Sequence, residues 1–372
     1  MDEVILHAAG DIMIDRPQPE TLFEHVAGTL KQGDVNFCQL EMMFSERGSR
    51  NPTARAAIRA NPKNATAMKW AGFNIVSMSG NHCMDFCEEG FYDTVQVLEE
   101  NDLKVLGVGN NIQEARKPII MEQKGVRIGF LAYNSILPKG YEARIDKPGC
   151  CPLRAYTVYE PVEYDQPGQP CRIHSFTDRD DLETMVQDIK NLKPLVDVVA
   201  VSLHFGLHFV RAKLADYQRE ASHAAIDAGA DVIIGTHAHI LKGIEVYKGK
   251  VIFYSLCNFA ADRRRTKENL NSPAIKELTE LYGFSIDEDW LNSYAFPTDS
   301  RKTILAKCTI IDKKIQKVSF LPVMINRQAQ PEIVPAKSKE FGEVLQYMKD
   351  ISLDQGLKTT FKTEGDEVTI VT

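Results

Sequence analysis

Apolar and polar positions alternate in blocks along the first 260 residues, and each block indicates a strand or a helix. Short apolar runs that end at a polar turn are typical of buried strands. They predict strands at residues 4–9, 35–40, 74–78, 126–133, 196–203, 231–235 and 251–256. Apolar residues at helical spacing predict helices at residues 20–31, 91–98 and 215–228. This succession of strand, turn and helix predicts an α/β fold.

The pattern changes after residue 258. A charged run at residues 262–268 predicts a solvated loop, and residues 303–311 and 317–322 predict a hairpin, with a helix at 339–351 and a short terminal hairpin further on. Residues 137–177 are rich in proline and glycine and show no regular period. Because long irregular connections inside a domain are often functional, we expect this segment to form a lid over the site.

Composition narrows the class of protein. The chain has 372 residues, 44% of them apolar and 26% charged, which is typical of a globular protein and excludes a disordered one. Its formal net charge of -7 argues against nonspecific nucleic-acid binding. It lacks the ~20-residue apolar run of a membrane span and a basic, apolar leader, so we expect a cytoplasmic protein without a membrane partner. A homo-oligomer is left open.

The eight cysteines show no paired zinc-knuckle spacing. Cys83 and Cys87 are four apart and Cys150 and Cys151 are adjacent, whereas structural zinc sites use pairs of the C-x-x-C type. For a cytosolic chain we therefore expect reduced, partly buried thiols.

Metal-type ligands follow five of the predicted strands. In an open α/β sheet the carboxyl ends of the strands form the crevice where ligands bind, so residues far apart in sequence converge there. Carboxylate, amide and imidazole groups together suit Zn, Mn, Fe or Co better than Ca. The His-x-His pair points into one site only if its backbone makes a turn, because alternate residues of an extended strand face opposite ways. The residues at the strand ends are Asp11, Glu41, Asn81, His82, His204, His237 and His239.

Ordered motifs around these residues resemble a known family. The chain is similar to the capsule and poly-gamma-glutamate synthesis (CapA-like) family, a branch of the calcineurin-like metallophosphoesterases. The resemblance implies a four-layer α/β/β/α sandwich, with a catalytic domain at residues 1–325 that includes the 137–177 insertion, and a C-terminal extension at 326–372. The motifs that carry it are Gly10-Asp11-Ile12-Met13, Gln39-Leu40-Glu41, Gly80-Asn81-His82, Ser202-Leu203-His204-Phe205-Gly206 and Gly235-Thr236-His237-Ala238-His239.

The resemblance also implies one or two divalent metal ions and a role for each residue. His82 would lie outside the metal shell and protonate the leaving group. The chain departs from the wider superfamily at Met13, where a histidine ligand is usual, so the first metal would lose one protein ligand. The implied ligands are Asp11 and His239 for the first metal, Asn81, His204 and His237 for the second, and Glu41 between the two.

Two functions are consistent with these residues. The first is a metal-dependent hydrolase that uses a metal-bound hydroxide to cleave an amide, isopeptide or phosphoester bond in a small or polymeric anionic substrate. The second is a non-catalytic protein of capsule or poly-gamma-glutamate assembly that binds anionic polymer.

Four residues are candidates for holding that substrate. Arg144, Lys147 and Arg154 lie in the predicted lid and could bind a carboxylate or phosphate, the alternative being a solvated loop. His208, four residues after His204, could be a substrate contact, an extra ligand or a surface histidine.

Overall fold

The computed structural model describes residues 3–165 and 168–371, so residues 166–167 of the predicted lid lie outside it. Most of the described strands are short, and those of the core are buried. In chain order they are β1 (Val4–Met13), β2 (Val35–Leu40), β3 (Met43–Phe44), β4 (Arg59–Ala60), β5 (Ile75–Ser77), β6 (Lys104–Leu106), β7 (Val108–Gly109), β8 (Ile119–Gln123), β9 (Val126–Asn134), β10 (Gly149–Cys150), β11 (Ala155–Pro161), β12 (Cys171–Thr177), β13 (Val198–His204), β14 (Val232–Thr236), β15 (Ile244–Tyr247), β16 (Lys250–Phe253), β17 (Asn258–Ala261), β18 (Lys302–Ile311), β19 (Lys314–Ile325), β20 (Pro331–Ile333), β21 (Thr360–Glu364) and β22 (Glu367–Val371).

The helices lie between these strands, and short 3₁₀ turns supplement them at Pro19–Phe23, Pro62–Ala65, Lys193–Leu195, Glu288–Trp290 and Thr298–Arg301. The longest described helix has 15 residues. Across residues 3–165 and 168–371, no helix combines the length and the apolar character needed to cross a membrane. The helices are α1 (Ala27–Leu30), α2 (Thr66–Ala71), α3 (Cys87–Glu100), α4 (Ile112–Ala115), α5 (Arg179–Leu192), α6 (Asp216–Ala228), α7 (Lys267–Leu270), α8 (Pro273–Tyr282) and α9 (Lys339–Leu353).

Two large sheets organise the chain. The first has ten strands, with the central order β21-β22-β19-β18-β1-β2-β5-β6, and β17 pairs in parallel with the end of β1. The second has six strands in the order β15-β16-β14-β13-β9-β8. Within them β1, β2, β5 and β6 run parallel, as do β9, β13, β14 and β16. The predicted α/β class is confirmed.

Strand periodicity divides the core into three parts. On β1, Leu6 and Ala8 belong to one apolar cluster and Ala9 to another, as the two-residue period of a strand requires. Ile12 joins the cluster of Ala9 because the register of the strand shifts between Ala8 and Asp11. The first of these clusters also contains residues of β9 and β13, and Phe37 of the first sheet stacks on a phenylalanine of β9, so the two sheets pack against each other. The other faces pack against α2 and α3 in the first sheet and α5 and α6 in the second.

Local sequence explains the ends of the helices that flank the second sheet. The Asp178 carboxylate accepts hydrogen bonds from the backbone N–H groups of residues 180 and 181 and so caps the start of α5. Gly229 ends α6 with φ of 120°, a conformation that favours glycine. The predicted helix at residues 20–31 is wrong in its continuity, because the chain forms a 3₁₀ turn and then the short α1.

The C-terminal part completes the first sheet. The predicted hairpin is confirmed as β18 and β19, which turn at Asp312 and Lys313, both with positive φ. The predicted C-terminal helix corresponds to α9, and the terminal hairpin to β21 and β22. Because β20 and β22 both pair with β19, residues 326–371 add strands to the same sheet that carries β1.

The segment at residues 137–177 is more regular than the sequence suggests. Its second half forms the hairpin β11–β12, whose base packs against α6: the Thr177 N–H donates to Glu220 and the Ser175 N–H to Asp216. Among the described residues of this segment, only Leu137 and Pro138 line the large cavity described below. The expectation of an irregular segment is therefore corrected, whereas its role as a lid stays a prediction.

Candidate metal centre

The first sheet brings three acceptor groups to one edge. Asp11 lies near the end of β1, Glu41 directly follows β2, and Asn81 lies four residues after β5. Gly10 is required here, because a Cβ atom would lie 1.9 Å from the Cys257 carbonyl oxygen. This close approach lets the Asp11 N–H donate to that oxygen at 3.0 Å and fixes the carboxylate beside β17.

The second sheet contributes the histidines. His204 is the last residue of β13, and His237 and His239 follow β14. Both later histidines have positive φ, 86° and 53°, so the backbone turns and brings both side chains to the lining of one cavity. This is the turn that the His-x-His pair needed, and such strained backbone is typical of functional sites. The His237 N–H also donates to Asp11 Oδ2 at 3.2 Å.

The Glu41 carboxylate lies among three imidazoles. Its Oε2 is 3.6 Å from His204 Nε2, and its Oε1 is 3.7 Å from Nε2 of both His82 and His239. The residue is fully buried, and neither oxygen has a hydrogen-bond partner among the described residues. Gly80 packs beside it, since a Cβ there would lie 3.4 Å from Oε2.

Hydrogen bonds orient the imidazoles. The Tyr294 hydroxyl donates to Ser300, so it accepts from Asn258 Nδ2, which leaves Asn258 Oδ1 to accept from His239 Nδ1 at 2.6 Å. His204 Nδ1 bonds Thr236 Oγ1 at 2.9 Å. In both rings Nε2 therefore faces Glu41, which is how outer partners position a metal-binding histidine.

Burial sets the charge state of the cluster. It raises the pKa of Asp11 to about 8, against the opposing hydrogen bond from His237. Burial and then the charges of Asp11 and Asp85 raise the pKa of Glu41 well above its usual range. Burial also lowers the pKa of His204 and His237 far below the usual value, and that of His239 to about 3. The imidazoles are thus neutral at pH 7, with lone pairs available.

These residues fit a divalent cation. Asp11 Oδ1, both oxygens of Glu41 and His237 Nδ1 are buried and have no described hydrogen-bond partner. Burying such groups is costly unless a charge compensates them. One ligand atom each from Glu41, His204 and His237 lie within 4.8 Å of one another. Asn81 Oδ1 lies 2.7 Å from His204 Nε2, so the amide oxygen reaches the same place.

His82 lies next to this cluster and is held by a residue that sequence reasoning missed. Its Nδ1 donates to Asp85 Oδ2 at 2.6 Å, while Asp85 Oδ1 accepts from the Tyr141 hydroxyl at 2.9 Å. Asp85 is fully buried. The sequence did contain a signal for Asp85, because a carboxylate three residues after a histidine in a turn is within reach of the histidine ring.

A cavity of about 1290 Å³ opens from the cluster. Its wall comes largely from the segment at residues 263–297, which includes α7 and α8. His208 lies in this cavity with its ring 5.1 Å from that of His237 and 5.0 Å from that of His239, and its Nε2 is buried without a described partner. The alternative of a surface histidine is therefore wrong.

The three basic residues of the predicted lid lie elsewhere. Arg144 pairs with Glu142 at 2.5 Å, Arg154 pairs with Asp181 at 2.6 Å, and Lys147 Nζ donates to a backbone carbonyl. None of the three lines the cavity, which removes the basis on which they were predicted to hold substrate. The arginines that do line the cavity are ones that sequence reasoning missed: Arg50, Arg55, Arg263, Arg264 and Arg265.

Comparison with known proteins assigns the chain to a family. The sequence pattern of the family described as bacterial capsule synthesis protein PGA_cap matches residues 5–263, which contain all the proposed metal ligands. The chain belongs to this family, as the motifs predicted.

Curated relatives agree with that assignment. The chain is 27% identical to the capsule biosynthesis protein CapA of Bacillus anthracis, over 72% of this chain and 62% of the relative. It is also 27% identical to the PGA biosynthesis protein CapA of Bacillus subtilis (strain 168), over 69% and 63%. The matched part thus spans less than two thirds of each relative's length.

Comparison with solved structures finds matches of low identity. One is a hypothetical protein from Thermus thermophilus, 14% identical, with a TM-score of 0.46 over 86% of this chain and 98% of that one. Another is the calcineurin-like phosphoesterase YfkN from Bacillus subtilis, 10% identical, with a TM-score of 0.41 over 95% and 98%.

Proposed function

We propose that this protein is a metal-dependent hydrolase of an anionic substrate. The observation that carries the proposal is Glu41, a fully buried carboxylate with no described hydrogen-bond partner on either oxygen, 3.6–3.7 Å from three imidazole nitrogens. A carboxylate in such a place is stabilised by a bound cation, and the neutral imidazoles of His204 and His239 would be ligands rather than counter-charges.

The residues divide into two sets. Asp11 and His239 would hold one cation, Asn81, His204 and His237 a second, and Glu41 both. Their nitrogen and oxygen atoms suit Mn, Fe, Zn or Co. Bound there, the cations would supply Lewis-acid polarisation of the substrate and activation of a water molecule.

His82 would provide the proton for the leaving group. Its Nδ1–H is committed to Asp85, so Nε2 is the atom that faces Glu41 and exchanges a proton with the substrate. The Asp85 carboxylate stabilises the protonated ring that this role requires. Asp85 acts through His82 and is a positioning residue.

The bond cleaved is an amide, an isopeptide or a phosphoester in our proposal, because the same polarised oxygen and the same acid serve each of them. The relatives carry capsule and PGA biosynthesis in their names, which supports an anionic polymer or one of its fragments as substrate. The same names support the second candidate function, a non-catalytic role in assembling such a polymer.

A substrate panel separates these two functions. Protein purified without chelators is assayed against γ-glutamyl amides, lactams and aryl phosphates with added Mn, Fe, Co or Zn. We expect hydrolysis of one class, its loss with chelator and its recovery with metal, and no activity in the matched Glu41→Gln variant. Substoichiometric metal together with no hydrolysis of any member would contradict the enzyme and favour the assembly role.

A further inference from the structure

Two arginines of the cavity wall lack an acidic partner. Arg263 and Arg265 are both half-buried and both line the cavity. Among the described residues, no carboxylate lies within ion-pair distance of either guanidinium, and Arg265 Nε is buried with no hydrogen-bond acceptor. The described lining of the cavity includes a single acidic residue, the exposed Glu277.

Other shielded arginines of the same protein are paired. Arg16 contacts Asp262 at 2.8 Å, and Arg301 contacts Asp287 at 3.0 Å. This is the usual solution, because a buried charge costs stability unless an opposite charge or hydrogen bonds compensate it. Arg263 and Arg265 depart from it. Burial, followed by the charge of Arg265, lowers the pKa of Arg263 to about 10 against the opposing charge of Asp85, which lies beyond ion-pair distance, and the guanidinium is still charged at pH 7.

The backbone holds the two arginines in place. The Arg263 N–H donates to Ser293 at 3.1 Å, and the Arg263 carbonyl accepts from Ala295 at 2.7 Å. The Arg265 N–H donates to Leu291 at 2.8 Å. Groups that are anchored in this way make a defined site rather than a mobile charged loop. The solvated loop predicted for residues 262–268 is thus wrong at these positions.

The part of the cavity wall that carries Arg263 and Arg265 is continuous with the candidate metal centre. Phe296, the residue after the Ala295 that bonds Arg263, has its ring 5.4 Å from the ring of His239. Phe209 and Phe284 extend the same surface, with ring centroids 4.8 Å apart. The cavity therefore presents three of the proposed ligands (Asn81, His237 and His239), an aromatic surface and two guanidinium groups without acidic partners to one bound molecule.

We propose that Arg263 and Arg265 form an anion subsite that binds a carboxylate or phosphate group of the substrate, remote from the bond that is cleaved. The guanidinium fork matches either oxyanion with paired hydrogen bonds. Calling the ligand a substrate rests on the proposed function, but the binding itself does not. The family match ends at residue 263, so Arg265 lies outside the matched pattern.

Binding of small aryl anions tests the subsite without any turnover. Calorimetry on chelator-treated full-length protein would use N-benzoylglycine for a carboxylate, phenyl phosphate for a phosphate, and N-benzoylglycinamide as the uncharged match. We expect at least one anion to bind, and Arg263→Gln and Arg265→Gln each to weaken it about 10-fold or more, the usual effect of losing a charged hydrogen bond. Whichever anion shows this loss identifies the group that the subsite prefers. Arg179→Gln, an exposed arginine of α5, is the matched control and should bind as wild type does.

Thermal stability adds a second readout. Arg265→Gln removes an uncompensated charge, so this variant should melt at or above the wild-type temperature if the arginine serves to bind a ligand. Phenyl phosphate or N-benzoylglycine should raise the melting temperature of wild type more than that of the variant. Three results would overturn the proposal: wild type binds neither anion, the Arg263→Gln and Arg265→Gln variants bind the anions as tightly as wild type does, or Arg179→Gln weakens anion binding as much as those two variants do. Since no metal is present, a failure of the hydrolase proposal would leave these results unchanged.

Discussion

His82 Nδ1 lies 2.6 Å from Asp85 Oδ2, three residues further along the same turn. The Ile58 N–H donates to the same oxygen, and the Tyr141 hydroxyl donates to the other, so both oxygens of the buried carboxylate are hydrogen-bonded. This fixes the ring of His82 with Nε2 towards Glu41. A proton donor is thereby held beside a cluster whose other imidazoles are deprotonated, because burial lowers the pKa of each.

The first prediction concerns His82→Asn. The variant removes the proposed acid and leaves every proposed ligand in place, so metal content should stay at the wild-type level while kcat falls by about 10²–10⁴. The loss should shrink for a nitrophenyl ester, whose leaving group needs no proton. Equal losses for activated and unactivated substrates would show that His82 is not the acid.

Replacing Asp85 with asparagine tests the positioning role. The amide of the new side chain could bond His82 without stabilising its protonated form, so kcat should fall by about 10–100-fold at unchanged metal content. Tyr141→Phe removes a neighbouring hydrogen bond but keeps the carboxylate, and it should cost less. A kcat in Asp85→Asn that equals wild type would contradict the role.

The pH dependence of stability follows from Asp11. Its pKa is about 8 in the metal-free fold, against about 3.9 in an unfolded chain, so between these values the folded state binds more protons. Below about pH 7 the lowered pKa values of His204, His237 and His239 act in the opposite direction, because an unfolded histidine binds a proton that the folded one does not. The melting temperature of chelator-treated protein should therefore fall as pH rises from 7 to 8, and added Mn or Zn should restore it. Asp11→Asn should flatten this dependence. A metal-free melting temperature that is independent of pH in both proteins would contradict the burial argument.

Met13 provides a gain-of-ligand test. Its side chain lines the cavity next to the proposed ligands, and a thioether is a poor ligand for these cations. Met13→His should therefore tighten binding at the first metal site, measured by competition with a chelating dye. Unchanged affinity and stoichiometry would count against the placement of that site at Asp11.

The positions of the candidate ligands could be predicted because each follows a short apolar strand. Parallel neighbours such as β1 and β2 must end at one edge, so Asp11 and Glu41 had to converge whatever the details of packing. The family motifs supplied the roles, which these experiments test.

The anion subsite and the hairpin β11–β12 could not be predicted in this way. Arg263 and Arg265 belong to a charged run, and their burial depends on bonds to residues 291–295, a non-local pairing without a periodic signal. The hairpin β11–β12 was obscured by the prolines around it. Asn258 lies two residues after the strand predicted at residues 251–256, yet its role in orienting His239 depends on Tyr294, 36 residues away.

The most direct test is the number of metal ions per chain in wild type and in the ligand variants. His204→Ala, His237→Ala and Glu41→Gln each remove a ligand from the cluster, whereas His223→Ala removes a histidine of α6 that pairs with Glu245, outside the cavity. Elemental analysis of protein purified without chelators should find one or two Mn, Fe, Zn or Co ions per chain in wild type and His223→Ala, and a clear loss in the other three. Wild-type metal content in all four variants would contradict a metal centre at Glu41.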